Sequence, residues 1–206
     1  MISHTHKYIY IHIPKTGGKS LYKILPDAQH NRDALPKDNT INIGRRKMHL
    51  NVTEIQKALG VNKFNEYFKF AFVRNPWDRV VSEFFWRKSR PNRIQFNTIY
   101  EMLQFIENGN YEIDDLNRHL APQYEMICDS SQKKLLIDYV ANFENFTKEI
   151  HVIFTKIGIE TPNIIPQENK SIRSTDYNLY LKKQEKRLIE KIYEKDITLF
   201  DYISTK

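Results

Sequence analysis

The segment Tyr8-Ile9-Tyr10-Ile11-His12-Ile13 runs into Pro14-Lys15-Thr16-Gly17-Gly18-Lys19-Ser20, and then into Leu21, Tyr22, Ile24 and Leu25 before Pro26. The alternating isoleucines have the period of a β-strand, and the apolar residues after Ser20 that of a short helix. A strand feeding a small-residue loop and then a helix is an anion-binding arrangement. Glycines let backbone N–H groups approach the anion, and the helix N-terminus adds partial positive charge. Gly17 and Gly18 offer room, Lys15 and Lys19 formal charge, and Thr16 and Ser20 hydroxyls. The nucleoside-triphosphate loop, G-x-x-x-x-G-K-[ST], is matched only at Gly18-Lys19-Ser20, because Ile13 stands where its first glycine belongs.

A second strand–turn–helix follows. Residues 68–73 read as a strand, Arg74-Asn75-Pro76 breaks it, and Trp77, Val80, Val81, Phe84 and Phe85 form the stripe of an amphipathic helix. Its turn is basic. Val52, Ile55 and Leu59 predict a helix stopped by Gly60, with Thr53 and Gln56 resembling a capping box. Helices are also predicted at 98–108, 146–157 and 181–193, and a buried strand at 135–140. Residues 27–47 and 161–176 read as irregular, and residues 1–7 as a tail. Strands alternating with helices predict one α/β domain over residues 1–206. The expected architecture is P-loop-like and three-layered, with a central parallel sheet flanked by helices.

The net charge of +7, from 32 Lys plus Arg against 25 Asp plus Glu, predicts an anionic partner. Nucleic acid is not expected, since the charges are scattered and no binding motif occurs. The single cysteine, Cys128, excludes an intramolecular disulfide and a cysteine-clustered zinc site. No strict metal-ligand spacing occurs, so no metal is expected. No stretch approaches the ~18 apolar residues of a membrane span, and residues 1–7 lack the layout of a signal peptide. A cytoplasmic setting is the expectation.

Ile11-His12-Ile13-Pro14-Lys15-Thr16-Gly17-Gly18-Lys19-Ser20 resembles the 5′-phosphosulfate loop of the family-2 carbohydrate sulfotransferases. Phe72-Val73-Arg74-Asn75-Pro76-Trp77-Asp78-Arg79-Val80-Val81-Ser82-Glu83-Phe84 resembles that family's 3′-phosphate segment, and the two motifs stand in the family's order. The resemblance implies 3′-phosphoadenosine 5′-phosphosulfate (PAPS) as sulfuryl donor. It implies that Lys15 bridges the donor phosphate and the sulfuryl group, and that Thr16, Gly17, Gly18, Lys19 and Ser20 cradle the 5′-phosphate. Arg74 and Ser82 would hold the 3′-phosphate. Lys47-Met48-His49-Leu50 with Thr53-Glu54-Ile55 is similar to the segment carrying the base in heparan sulfate 6-O-sulfotransferases. Arg118-His119-Leu120-Ala121-Pro122-Gln123 resembles an H-x-x-P-Q motif of chondroitin-type relatives, and Asn169-Lys170-Ser171 a further family segment. The implied acceptor is a hydroxyl of a saccharide or glycan. The basic clusters Arg45, Arg46, Lys47 and Arg87, Lys88, Arg90, Arg93 suit an anionic one.

Sulfuryl transfer in line between two oxygens asks a protein to position groups and neutralise charge. Lys15 is the candidate at the leaving oxygen. The acceptor hydroxyl needs a general base, and histidine suits that role near neutral pH. Of seven histidines, His4, His6 and His30 read as solvent residues, His12 as packed on the first strand and His151 as structural or surface. His49 is the expected base, and His119 the second candidate, binding acceptor or ordering the site. Glu54 and Asp115 are weaker candidates. Lys170 and Ser171 stand where they could fold over the nucleotide. Three other readings compete: a magnesium-dependent kinase or NTPase using residues 135–138 as its metal-binding strand, a non-catalytic anion- or nucleic-acid-binding module, and an inactive fold of the same type.

Overall fold

The computed structural model describes residues 1–30, 35, 49–109, 116–166 and 172–202. Arg45, Arg46, Lys47, Asp115, Lys170 and Ser171 lie outside the described residues. In chain order the elements are β1 (Ile2–Ser3), β2 (Tyr8–Ile11), α1 (Gly18–Ile24), α2 (Val52–Leu59), α3 (Val61–Asn65) and β3 (Phe68–Val73). There follow α4 (Pro76–Lys88), α5 (Ile99–Glu107), α6 (Leu116–Leu120), α7 (Tyr124–Ile127) and β4 (Tyr139–Asn142). The chain then forms α8 (Phe146–Lys156), α9 (Lys183–Ile192) and α10 (Glu194–Leu199), with 3₁₀ turns at Phe143–Asn145 and Tyr177–Tyr180.

The chain divides into two compact units. The first is Met1–Val73 with Gln123–Glu168, and the second Arg74–Pro122 with Asn169–Lys206. Each is assembled from two separate stretches, so no linker composition marks the division.

The first unit holds a four-stranded sheet in the order β1-β2-β3-β4. Strands β2, β3 and β4 are parallel, and β1 adds antiparallel to β2. Residues 1–7 are therefore not a tail: Ile2 pairs with Ile9 and is fully buried. All four residues of β2 are buried, as expected for an inner strand covered on both faces. Tyr8, Tyr10, Phe70 and Phe72 pack with Leu21 of α1 and with Ile150, Ile153 and Phe154 of α8. The strand expected at 135–140 begins later, at Tyr139. Leu135 makes only an isolated bridge to Cys128. The Asp138 carboxylate accepts from the Lys69 backbone N–H at 2.7 Å and pairs with its ammonium at 2.9 Å. Since β4 is an edge strand, the apolar run before it needs no burial on both faces.

Helix α2 is capped by Asn51 and Glu54, not by the Thr53/Gln56 pair. The Asn51 Oδ1 accepts from the Glu54 N–H at 2.9 Å, and the Glu54 carboxylate accepts from the Asn51 N–H at 2.8 Å. Gly60 ends the helix with φ 78°, as the sequence suggests.

The second unit is helical. Trp77, Val80, Val81 and Phe84 of α4 pack against Met102, Leu103 and Ile106 of α5 and against Ile189 of α9. Asn75 caps α4 by accepting from the N–H groups of Trp77 and Asp78, and Pro76 occupies its first turn. Thr98 caps α5 in the same way, through the Glu101 N–H.

The cap of α2 lies two residues after His49, so it sets where that histidine leaves the helix. Asn51→Ala should cost about 1 kcal/mol. The expected reading is a lower urea midpoint at unchanged slope.

Candidate active site

In the first unit, β2 ends at Ile11 and the loop bends sharply before α1. Lys15 has φ 70° and Gly17 φ 82°. Left-handed backbone at a lysine costs roughly 1–3 kcal/mol and persists where surrounding structure imposes it. Thr16 is fully buried, and its hydroxyl donates to the Ile13 carbonyl at 2.8 Å. The hydroxyl hydrogen expected for an anion thus closes the loop, and what Thr16 can offer an anion is its backbone N–H. Ser20 is buried, Lys15 half-buried and Lys19 exposed.

The two glycines have a reason inside the protein. A Cβ on Gly17 would lie 2.8 Å from Cε2 of Phe146 and 3.0 Å from Cε2 of Phe143. A Cβ on Gly18 would lie 1.9 Å from Nε2 of His12, inside the imidazole. The room expected for the anion is room for two phenylalanines and a histidine.

His12 leads to the expected base. Its ring stacks on Tyr10 at 5.6 Å and stands 4.5 Å, centroid to centroid, from the ring of His49. The His12 carbonyl oxygen lies 3.0 Å from Nδ1 of His49. A carbonyl can only accept, so Nδ1 carries the hydrogen and Nε2 keeps the lone pair of the neutral imidazole. That is the tautomer a general base requires. The contacts Gly18–His12–His49 place this imidazole beside the loop. Glu54, by contrast, is held in the α2 cap.

In the second unit, Asp78 and Ser82 stand four residues apart on one face of α4, and Arg74 lies just before its cap Asn75. Arg74 gives Nε–H and Nη2–H to Oδ2 of Asp78 at 2.9 and 2.7 Å. Arg173 donates to the other carboxylate oxygen of Asp78. Ser82, which reads from sequence as the edge of the apolar stripe, is 5% exposed. The sequence reasoning singled out neither Asp78 nor Arg173. Asp78 stood within the quoted motif without a role, and Arg173 within a segment without periodicity.

A second polar face of α4 holds His119. Nδ1 of His119 is 3.0 Å from Oε2 of Glu83, which is fully buried, and the ring stacks on Trp86 at 4.7 Å. A carboxylate at Nδ1 orients an imidazole and leaves Nε2 to work. The other Glu83 oxygen pairs with Nε of Arg87 at 2.8 Å, a charge contact rather than a straight hydrogen bond. Arg79 donates to the carbonyls of Ala121 and His119 at 2.9 and 3.0 Å. Arg87 is thus an interior ion-pair partner and not part of the exposed basic cluster that Lys88 and Arg90 form.

His4 and His30 are not simply solvated. Nδ1 of His4 lies 2.7 Å from the Tyr67 hydroxyl, and His30 stacks on Tyr22 at 4.5 Å. Among the described residues no group of three or more His, Cys, Asp or Glu could hold a metal ion, and no helix is long and apolar enough to cross a membrane. Asp138, which a magnesium-dependent NTPase reading needs as a metal ligand, is bound to Lys69.

Gly18→Ala tests the packing at the loop. Overpacking costs about 1–3 kcal/mol, against a gain of about 1 kcal/mol in helix propensity. A net loss of up to ~2 kcal/mol is expected on thermal melting. In a His12→Ala background the same substitution should turn neutral or stabilising, as a double-mutant cycle reads directly.

A model described as the sulfotransferase family matches residues 1–203. An uncharacterized protein of Archaeoglobus fulgidus is 31% identical over 106 residues, which are 51% of this chain and 79% of that protein. Among solved structures, mouse sulfotransferase SULT7A1 complexed with PAP superposes with a TM-score of 0.58 at 15% identity, covering 97% of this chain and 87% of that one. That likeness shows the fold, a mixed α/β architecture with a mostly parallel central sheet flanked by helices.

Proposed function

The chain belongs to the sulfotransferase family, and from that premise we propose that it moves a sulfuryl group from PAPS to a hydroxyl of a saccharide or glycan. The observation that carries the reading is the group around the loop: Lys15 in left-handed backbone, and His49 with Nδ1–H committed to the carbonyl of His12, whose ring packs against Gly18. The sulfur–oxygen bond to the donor phosphate breaks and one to the acceptor oxygen forms. The acceptor proton goes to Nε2 of His49. The ammonium of Lys15 neutralises charge building on the leaving phosphate oxygen. The backbone of Thr16, Gly17 and Gly18, with Lys19 and Ser20, holds the 5′-phosphate, and Arg74 with Ser82 the 3′-phosphate. The family resemblance adds Lys170 and Ser171 as candidates for donor binding.

His119 serves as the second imidazole. Its support by Glu83 and Trp86 favours binding or ordering of the acceptor. The exposed Lys88 and Arg90 suit an anionic glycan. A saccharide acceptor rests on the family-2 motifs. The single, buried Cys128 fits a reducing, cytoplasmic compartment.

The binding test is calorimetric titration of 3′,5′-adenosine bisphosphate (PAP) against ADP and ATP, with and without magnesium. Magnesium-independent preference for the bisphosphate is expected, and preference for ATP with magnesium would contradict the proposal. Lys15→Ala should abolish transfer. His49→Ala should lower kcat about 10²–10⁴-fold with donor affinity nearly intact. Unchanged turnover in His49→Ala, with a large loss in His119→Ala, would move the base to His119.

A further inference from the structure

We propose that Asp78 is a positioning residue for the donor's 3′-phosphate, and that Arg173 is a second guanidinium it holds for that phosphate. The inference rests on the reading of Arg74 as a 3′-phosphate ligand and extends it to two residues that the sequence motifs did not assign.

The geometry is of one carboxylate shared by two forks. Oδ2 of Asp78 takes Nε–H and Nη2–H of Arg74, at 2.9 and 2.7 Å, while Oδ1 takes Nη2 of Arg173. The remaining Arg173 terminal nitrogen, Nη1, donates to the Ser174 carbonyl at 2.9 Å. The arginine side chains are only 10% and 6% exposed, and that of Asp78 only 16%. Each guanidinium is therefore fixed in direction and largely withdrawn from water.

Arginine keeps its charge at any physiological pH, and its planar fork matches a phosphate's oxygens. A flexible arginine gives up rotamer freedom when it binds; one already clamped has given it up on folding. Asp78 also stabilises two like charges close to each other, which would otherwise repel. Ser82, one turn further along the same face, brings a buried hydroxyl. Two fixed guanidinium groups and a hydroxyl suit a terminal, doubly charged phosphate better than a bridging one.

Asp78 also ties down a segment, because Arg173 opens the stretch that continues to the 3₁₀ turn at Tyr177–Tyr180. The Ser174 N–H donates to the Tyr180 hydroxyl at 2.8 Å within that stretch. A change at Asp78 that merely loosened this segment would weaken any adenosine ligand. A change that misdirected the two guanidinium groups would weaken only a ligand with a 3′-phosphate.

The experiment compares PAP with 5′-AMP on the full chain. Affinities are measured for the unmodified protein, Asp78→Asn, Asp78→Glu, Arg173→Lys and Arg74→Ala, with a thermal melt of each. For Asp78→Asn the expected result is a fall of about 10–100-fold in PAP affinity, the worth of a lost charged hydrogen bond or two, with 5′-AMP held within about 2-fold. Arg173→Lys should fall in the same selective way, because a lysine keeps the charge and loses the fork. Asp78→Glu should recover part of the loss. In turnover, KM for PAPS should rise in Asp78→Asn while kcat stays nearly level. Equal losses for both ligands, or no loss for either, would overturn the proposal. Failure of the underlying reading looks different: Arg74→Ala would then leave the preference for PAP over 5′-AMP intact, whatever Asp78→Asn does.

Discussion

Helix α4 carries Arg79, Glu83 and Arg87 into the interior of its unit, and each buried charge must be matched where it lies. The matching organises what surrounds it. Arg79 holds the carbonyls of residues 119 and 121, Glu83 orients the His119 ring, and Arg87 balances Glu83. Removing one partner of such a buried pair typically costs about 3–5 kcal/mol, because the other charge is left in place. The neighbouring face, with Arg74, Asp78 and Ser82, follows the same rule with one difference. Its guanidinium groups are directed by a carboxylate that is partly open to water. One helix thus presents an apolar stripe for packing, one polar face that fixes a histidine, and another that the proposed donor site assigns to the 3′-phosphate.

The first unit solves a steric problem at its loop. Two glycines in succession make room for aromatic rings of the protein itself: Phe143 and Phe146 over Gly17, and His12 over Gly18. The consequence for chemistry is indirect. With His12 seated over α1, its carbonyl and ring meet His49, and the carbonyl decides which imidazole nitrogen carries the hydrogen. The shape of the loop and the tautomer of His49 are therefore one constraint. Sulfuryl transfer needs a cation at the leaving oxygen and a lone pair at the acceptor, and this unit holds candidates for both.

Much of this was legible in the sequence where a local rule decides. Strand β3, helix α4 with its proline at the start, and α5 follow from the apolar period and the proline rule alone. The order of the two motifs was legible as a family resemblance. The misses have physical reasons. Asn51 outcompeted Thr53 as cap, and either residue type can serve. The apolar run at 135–137 looked like a buried strand, yet it precedes an edge strand whose first contact is the Lys69–Asp138 pair. Residues 1–7 looked like a tail because a two-residue strand has no period to read. Arg173, Glu83 and Asp78 escaped because their meaning lies in contacts across the fold, to partners up to 95 residues away in the case of Arg173 and Asp78. The reverse holds for Gly17 and Gly18, which the sequence singled out for an anion and the structure explains by packing.

The measurement that reaches the central claim most directly is transfer itself. The protein is incubated with isotopically labelled PAPS and a panel of neutral and anionic oligosaccharides, and label is followed into the saccharide alongside release of PAP. Labelled saccharide forming in step with PAP, with no magnesium present, is the predicted result. PAP release with no labelled saccharide across the panel would contradict a saccharide acceptor. Neither product forming, in a protein that binds PAP, would contradict catalysis by this chain.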